Sequence, residues 1–388
     1  MSSMADAEPE VPETHVLAIA SHVTSGYVGN TMATFCMQAL GCEVSAIHTV
    51  NYSNHVAYKQ FKGRKSTPEE VADLWTGLRN ARLDNFDMLL SGYCPSAALV
   101  EQVGLIAREL KSRSHTRPGS FFWVLDPVMG DNGRMYVAEE TVPAYKSLLK
   151  DADLILPNQF EAELLSDVKI HDLASMKQAI TRLHQTYRVP HVLITSIRLP
   201  STAANTPTQM EEDLSTTAKL SIIGSTATGD MKPRLFRITV PALAVFFSGT
   251  GDMFASLMVA RLRQASQNAH LLDKPSWRSP DEVAAPDLPL AKAAEKVLAS
   301  MHAALKDTAE HYEAAVRRST EMGEGERNSG RGDEVSEEKD TQRHLALTRA
   351  AEVRVVRNMK ALVSPPNLDS FKAQAVGAEA HGDADGVV

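Results

Sequence analysis

The chain has 388 residues, 43% of them hydrophobic and 23% charged, with 40 Lys and Arg against 48 Asp and Glu for a net charge of −8. That composition is typical of a folded globular chain and argues against a disordered, collagenous or membrane-embedded one. The acidic balance, with a pI of about 5.9, argues against a general nucleic-acid binder, which needs a basic footprint to displace counterions.

Residues 1–13 read as a solvated acidic tail without the basic and apolar regions of a secretory signal. No apolar run approaches the ~18 residues needed to span a bilayer. Cys36, Cys42 and Cys94 have neither C-x-x-C nor zinc spacing, as suits a reducing compartment. The expectation is a cytoplasmic protein, with the nucleus also open to it, and no membrane partner.

His15 to Ala20 predicts a buried strand. The turn Gly26-Tyr27-Val28-Gly29 leads into a helix with Val28, Met32, Phe35, Cys36, Ala39 and Leu40 on one face and Gly41 at its end. A strand over Glu43 to His48 completes a βαβ unit. The alternation continues: helix from Pro68 to Arg82, strand Asp87 to Ser91, helix Pro95 to Lys111, strand Phe121 to Leu125, helix Val142 to Leu149, strand Leu154 to Leu156, helices Gln159 to Leu165 and Asp172 to Tyr187, strand Val192 to Thr195. Near-continuous apolar strands separated by helices predict a parallel sheet covered on both faces.

Beyond Leu199 the texture changes. Pro200 to Leu214 is polar and predicts an exposed loop. Lys219 to Ile223 and Leu235 to Val240 predict antiparallel strands. A helix starts near Gly251 with Phe254, Leu257, Met258 and Leu262 in register. Gln267 to Pro289 carries four prolines and reads as a surface excursion. A helix follows from Leu290 to Arg318, then a Gly/Glu/Ser-rich segment, 319–343, expected to be disordered. Glu352 to Val356 is a last strand candidate. The domain expectation is one unit over 14–362, with insertions at 200–215, 267–289 and 319–343 and a mobile tail over 363–388.

Three blocks carry chemistry. Gly249-Thr250-Gly251-Asp252 precedes an amphipathic helix. Two glycines let backbone N–H groups converge at a helix start, which makes an anion hole. A carboxylate there would repel phosphate, so Asp252 makes sense as a base for an attacking hydroxyl. Its alternative is an ordinary helix cap. Asp126-Pro127-Val128-Met129-Gly130-Asp131 follows a strand, where parallel sheets bind ligands. Asp126 and Asp131 could hold a hydrated cation near phosphates, or simply close an Asx-turn. Asn158 and Glu161, three apart at a helix start, could order magnesium or form a capping box, and the two roles are compatible. The P-loop, dinucleotide, zinc-protease and nucleophile-elbow signatures are all missing from the sequence.

These blocks, with Ser21-His22-Val23, Gly26 to Asn30, Tyr52-Ser53-Asn54-His55, Ser91-Gly92-Tyr93 and Pro157 to Leu165, stand in an order that resembles pyridoxal kinase, a branch of the ribokinase-like superfamily. The resemblance runs from His15 to Leu262, with a weaker echo at Glu352 to Met359. It implies an α/β fold: a three-layer α/β/α sandwich with a mainly parallel central sheet. It also implies transfer of the ATP γ-phosphoryl group to the 5′-hydroxyl of pyridoxal, pyridoxine or pyridoxamine. Asp252 would be the base, and Gly249, Thr250 and Gly251 the anion hole. Ser21, Thr49 and Tyr93 would meet the vitamin, and Tyr136 would belong to a flap over both substrates. Asp126, Asn158 and Glu161 would organise magnesium and a monovalent cation such as potassium. Asp131, Thr195 and Ser196 would lie near the nucleotide phosphates, with Leu243 and Val245 beside adenine. Leu156 departs from relatives that carry a threonine oxygen for the monovalent ion. A homodimer is implied too. The rivals are a hydroxymethylpyrimidine kinase, whose branch often has Cys in place of Asp252, a sugar kinase, and a catalytically idle ATP-binding scaffold.

Overall fold

The computed structural model describes residues 10–197, 219–326 and 334–376. The opening βαβ unit forms as its pattern predicts: β1 (His15–Val23), α1 (Gly29–Ala39) and β2 (Glu43–Tyr52). A short β3 (Gly63–Lys65) pairs antiparallel with β2 at the sheet edge. The chain then alternates through α2 (Pro68–Asn80), β4 (Met88–Ser91), α3 (Ala97–Ser112) and β5 (Phe122–Leu125). A two-stranded hairpin, β6 (Gly130–Asp131) and β7 (Arg134–Met135), precedes α4 (Thr141–Leu148). Then come β8 (Leu154–Ile155), α5 (Gln159–Ser166), α6 (Leu173–Tyr187) and β9 (His191–Ile197). Helix starts follow local chemistry: Thr67 with Glu70 caps α2, and Asp172 with Ser175 caps α6.

The predicted antiparallel pair is β10 (Lys219–Ala227) and β11 (Pro233–Pro241), which extends the sheet from β9. The helices α7 (Thr250–Asn268), α8 (Pro289–Glu326), α9 (Glu334–Ala350) and α10 (Met359–Val363) follow, and β12 (Gln374–Ala375) closes the edge against β11. The sheet runs β12-β11-β10-β9-β8-β5-β4-β1-β2-β3, parallel from β9 through β2. From β1 the chain steps outward to β2 and then returns to β4 on the other side, so a topological switch lies between β1 and β4.

Strand alternation sorts the core into two layers. Val16 and Ala18 of β1 face α1, α7 and α8, together with Phe122, Val124 and Leu154. Leu17 and Ile19 face the α2–α6 layer, together with Trp123, Leu125 and Ile155. This is the three-layer sandwich that the sequence implies.

One expectation is refined and three differ. The Pro-rich 267–289 stretch runs over the surface, as expected, but is anchored in the core: Trp277 is buried, stacks on Phe122 with centroids 4.2 Å apart, and donates its indole N–H to Gly119 O at 2.9 Å. Within 319–343, α8 and α9 are helical to Glu326 and from Glu334. Glu352 to Val356 is a turn and not a strand: Val353 and Val355 are buried in the core, and among the described residues no strand pairs with the segment. The tail is bound as far as Val376, with Phe371 buried and Val376 N–H donating to Leu235 O. The loop expected over 200–214 and the first residues of the N-terminal tail lie outside the described residues.

Candidate active site

The carboxyl ends of β1, β4, β5, β8 and β9 bring the singled-out residues to one edge of the sheet. Gly249 caps α7 at φ +81°. A Cβ there would stand 2.3 Å from Tyr27 O, so only glycine lets the 26–29 loop lie on this turn. The first four N–H groups of a helix have no partner within it, so the start of α7 presents donors and the positive end of its dipole.

Asp252 stands in that first turn. Its carboxylate accepts the Gly29 N–H. Burial lifts the carboxyl to about 6, and the Gly29 bond only partly opposes this. Such a group is ionised at neutral pH yet basic enough to accept a proton in flight.

Asp126 follows β5 and is buried, its N–H donating to Ser91 O at 2.9 Å. A Cβ on Gly251 would lie 4.0 Å from Asp126 Oδ2, which puts this carboxylate against the α7 start. Burial first, then the charges of Glu161 and Asp252, hold it well above the usual carboxylate range. Glu161 is buried and accepts N–H groups from Met129 (2.9 Å), Gly130 (3.3 Å) and Asn158 (2.9 Å). Burial still pushes it up to about 7 against those three donors. Asn158 caps α5 by accepting Glu161 N–H at 2.9 Å, while its Nδ2 donates to Gly130 O at 2.7 Å. The capping box is therefore real, and it also moors the β6–β7 hairpin.

That hairpin carries Asp131, whose carboxylate accepts from Asn132 N and Nδ2 at 2.7 and 3.0 Å. Tyr136 follows it, tied by N–H to Met129 O at 2.8 Å, and the residue is 60% exposed. Thr195 forms a bridge with Asn158 and donates its N–H to Pro157 O, and Ser196 beside it is exposed. Ser21 abuts Gly29, where a Cβ would be 2.3 Å from Ser21 Oγ. Thr49 is fully buried and donates its hydroxyl to Tyr93 O at 2.6 Å, which ties β2 to the segment after β4. The Tyr93 ring is half-buried. Leu243 and Val245 lie between β11 and α7, packed on the core.

Sequence reasoning missed the Gly29 N–H and Asn30. Asn30 is buried and donates to Ile47 O at 2.9 Å and Ala20 O at 3.2 Å, spanning β1 and β2. The signal was an amide directly after the glycine that opens an apolar helix.

Asp126, Glu161 and Asp252 place three sheltered carboxylates at one site. Crowding and burial oppose their ionisation, and a divalent cation would offset both. The donor set therefore fits such an ion. Among the described residues the one tight trio of possible ligands is Glu13, His15 and Glu43, at the far end of β1. The looser spacing at the strand ends suits an ion held largely through water and phosphate oxygens. Two cavities, of about 390 and 790 Å³, lie elsewhere: one by Lys111 and Asp153, the other by Tyr27, Tyr58 and Glu352. Among the described residues no helix is long and apolar enough to cross a membrane.

The profile of the family described as phosphomethylpyrimidine kinase matches residues 98–229. Human pyridoxal kinase is 36% identical over 257 residues, covering 64% of this chain and 77% of the human one. Pyridoxal kinase from Leishmania donovani in complex with ADP superposes with a TM-score of 0.68 at 31% identity, covering 93% of this chain and 98% of that one. The same enzyme with ADP and pyridoxamine gives 0.67 at 30% identity, with the same coverage. With this identity spread over most of both chains, on a shared ribokinase-like fold, the chain belongs to the pyridoxal kinase family.

Proposed function

We propose that the chain phosphorylates the 5′-hydroxyl of pyridoxal with ATP, giving pyridoxal 5′-phosphate and ADP, and acts likewise on pyridoxine and pyridoxamine. The carrying observation is Asp252: a sheltered carboxylate whose pKa burial raises to about 6, beside the Gly29 N–H and in the first turn of a helix, where the leading N–H groups have no partner within the helix.

Phosphoryl transfer needs positioning and charge neutralisation more than covalent help. Asp252 takes the hydroxyl proton as the oxygen attacks the γ-phosphorus and the bond to the ADP oxygen breaks. The N–H groups of Gly249, Thr250 and Gly251 receive the moving negative charge. Ser21 and Tyr93 line the vitamin side, and the fully buried Thr49 acts through the Tyr93 backbone it holds. Thr195, Ser196 and Asp131 flank the phosphates, and Leu243 and Val245 offer aliphatic surface to adenine. Tyr136, exposed on its hairpin, covers the reactants and excludes water. Asp126 and Glu161, beside the hairpin that Asn158 fixes, would hold a divalent cation such as magnesium, which would supply neutralisation of phosphate charge. A monovalent cation such as potassium belongs to the same reading, and Leu156, buried in the core, offers it no side-chain oxygen. So do a homodimer and a cytoplasmic location.

The test is ATP-dependent formation of pyridoxal 5′-phosphate by the purified chain with magnesium and potassium. Absence of turnover on all three vitamers would overturn the proposal. The match to the phosphomethylpyrimidine kinase profile favours a second reading, a hydroxymethylpyrimidine kinase, and phosphorylation of that pyrimidine alone would establish it.

A further inference from the structure

The segment after α9 is locked in place, although it belongs to no regular element. Val353 and Val355 are buried in the core. Arg354 donates its N–H to Thr308 Oγ1 at 3.1 Å and its Nε to Asp307 Oδ2 at 2.8 Å. Asn358 Nδ2 reaches the same Asp307 oxygen at 2.9 Å. These bonds pin the segment to α8 and leave Glu352 directed at the opposite end of the sequence.

The Glu352 side chain is 14% exposed. Its Oε2 accepts the Tyr27 N–H at 3.2 Å. Its Oε1 meets His55 Nε2 at 2.8 Å and accepts the Tyr58 hydroxyl at 3.1 Å. A Cβ on Gly26 would come within 2.6 Å of that carboxylate, so the loop backbone lies flat on it. The same loop touches the reaction centre at two points: Tyr27 O packs on Gly249, and Gly29 N–H donates to Asp252. A loop with two positive-φ glycines, Gly26 and Gly29, is intrinsically free and needs an external anchor to hold one geometry.

We propose that Glu352 is a positioning residue: its carboxylate, with His55 and Tyr58, clamps the Gly26–Gly29 loop and thereby aligns Asp252 and the Gly249–Gly251 anion hole. The inference rests on the kinase reading. Glu352 meets no reacting atom itself. It acts through the Tyr27 peptide, and a charged acceptor holds that N–H more firmly than a neutral one. Small misplacement of a reacting group carries large rate penalties, so the loss falls on kcat rather than on binding.

The experiment compares wild type, E352A, E352Q and Y58F in steady-state pyridoxal phosphorylation and in hydrogen–deuterium exchange over residues 26–29. E352A is expected to lose tenfold or more in kcat, with KM for pyridoxal and for ATP within threefold of wild type and faster exchange at Tyr27 to Gly29. E352Q, which keeps an acceptor for Tyr27, is expected to recover most of kcat. Y58F, which removes one donor only, keeps the test open should E352A not fold, with an expected loss of about twofold to fivefold. Unchanged kcat or unchanged exchange in E352A overturns the inference, as does a loss expressed only in KM, and with E352A unfolded the same results in Y58F overturn it. A wild-type chain without turnover overturns the kinase reading instead, and the exchange comparison still tests the clamp.

Discussion

Replacing Asp252 by Asn separates catalysis from stability. The amide oxygen can still accept Gly29 N–H, so the start of α7 should persist. The base is lost, and kcat should fall by ~10²–10⁴. Stability should move the other way. The carboxyl stands at about 6 against 3.8 for a free aspartate, so the folded chain holds its proton more tightly than the unfolded one. About 1.4 kcal/mol per pH unit gives on the order of 3 kcal/mol against the charged form, and partial exposure reduces this to about 1–2 kcal/mol. The penalty is full above pH ~6 and vanishes below pH ~4. D252N should therefore melt a few degrees higher than wild type at pH 7.5, with the gap closing between pH 6 and 4. Thermal melts beside turnover assays on the same preparations decide it. A variant that loses stability and activity together, or retains turnover, would show that Asp252 is not a buried base of this kind.

The ionised Asp252 should also set the acid limb of kcat/KM: activity should decline as pH falls through about 6 and be flat just above it, in a pH–rate profile of the wild type. Gly249→Ala should cost about 1–3 kcal/mol, since alanine at φ +81° would also drive a Cβ into Tyr27 O, and should reduce kcat/KM at least tenfold. Trp277→Ala should cost about 3–5 kcal/mol in denaturant unfolding, as for other buried tryptophans, while kcat in the folded fraction stays near wild type. A cost below 1 kcal/mol would show that the stretch is not anchored in the core.

The sheet and the cluster at its strand ends were legible because their signals are local. Each chemical block directly follows an apolar run, and the end of a parallel strand is where such a fold presents ligands. GTGD, DPVMGD and PNQFEAELL therefore converge without any long-range argument. What escaped depends on tertiary partners. Val353 and Val355 alternate as in a strand, but they enter the core beside α8, and among the described residues no strand pairs with them. The prolines around Trp277 read as loop chemistry, and only the stack on Phe122 anchors the stretch in the core. Glu352 meets Tyr27 across nearly the whole chain, a contact that no periodicity encodes. The helices within 319–343 escaped because Gly323 and Gly325 weaken helix propensity by about 1 kcal/mol each, without preventing α8 from continuing through them.

Whether Asp252 drives transfer to pyridoxal is decided by ATP-dependent product formation by wild type and D252N side by side, with pyridoxal and hydroxymethylpyrimidine offered together. Pyridoxal 5′-phosphate should be the main product of the wild type, with almost none from the variant. Phosphorylation of the pyrimidine alone, or equal turnover by both proteins, would contradict this.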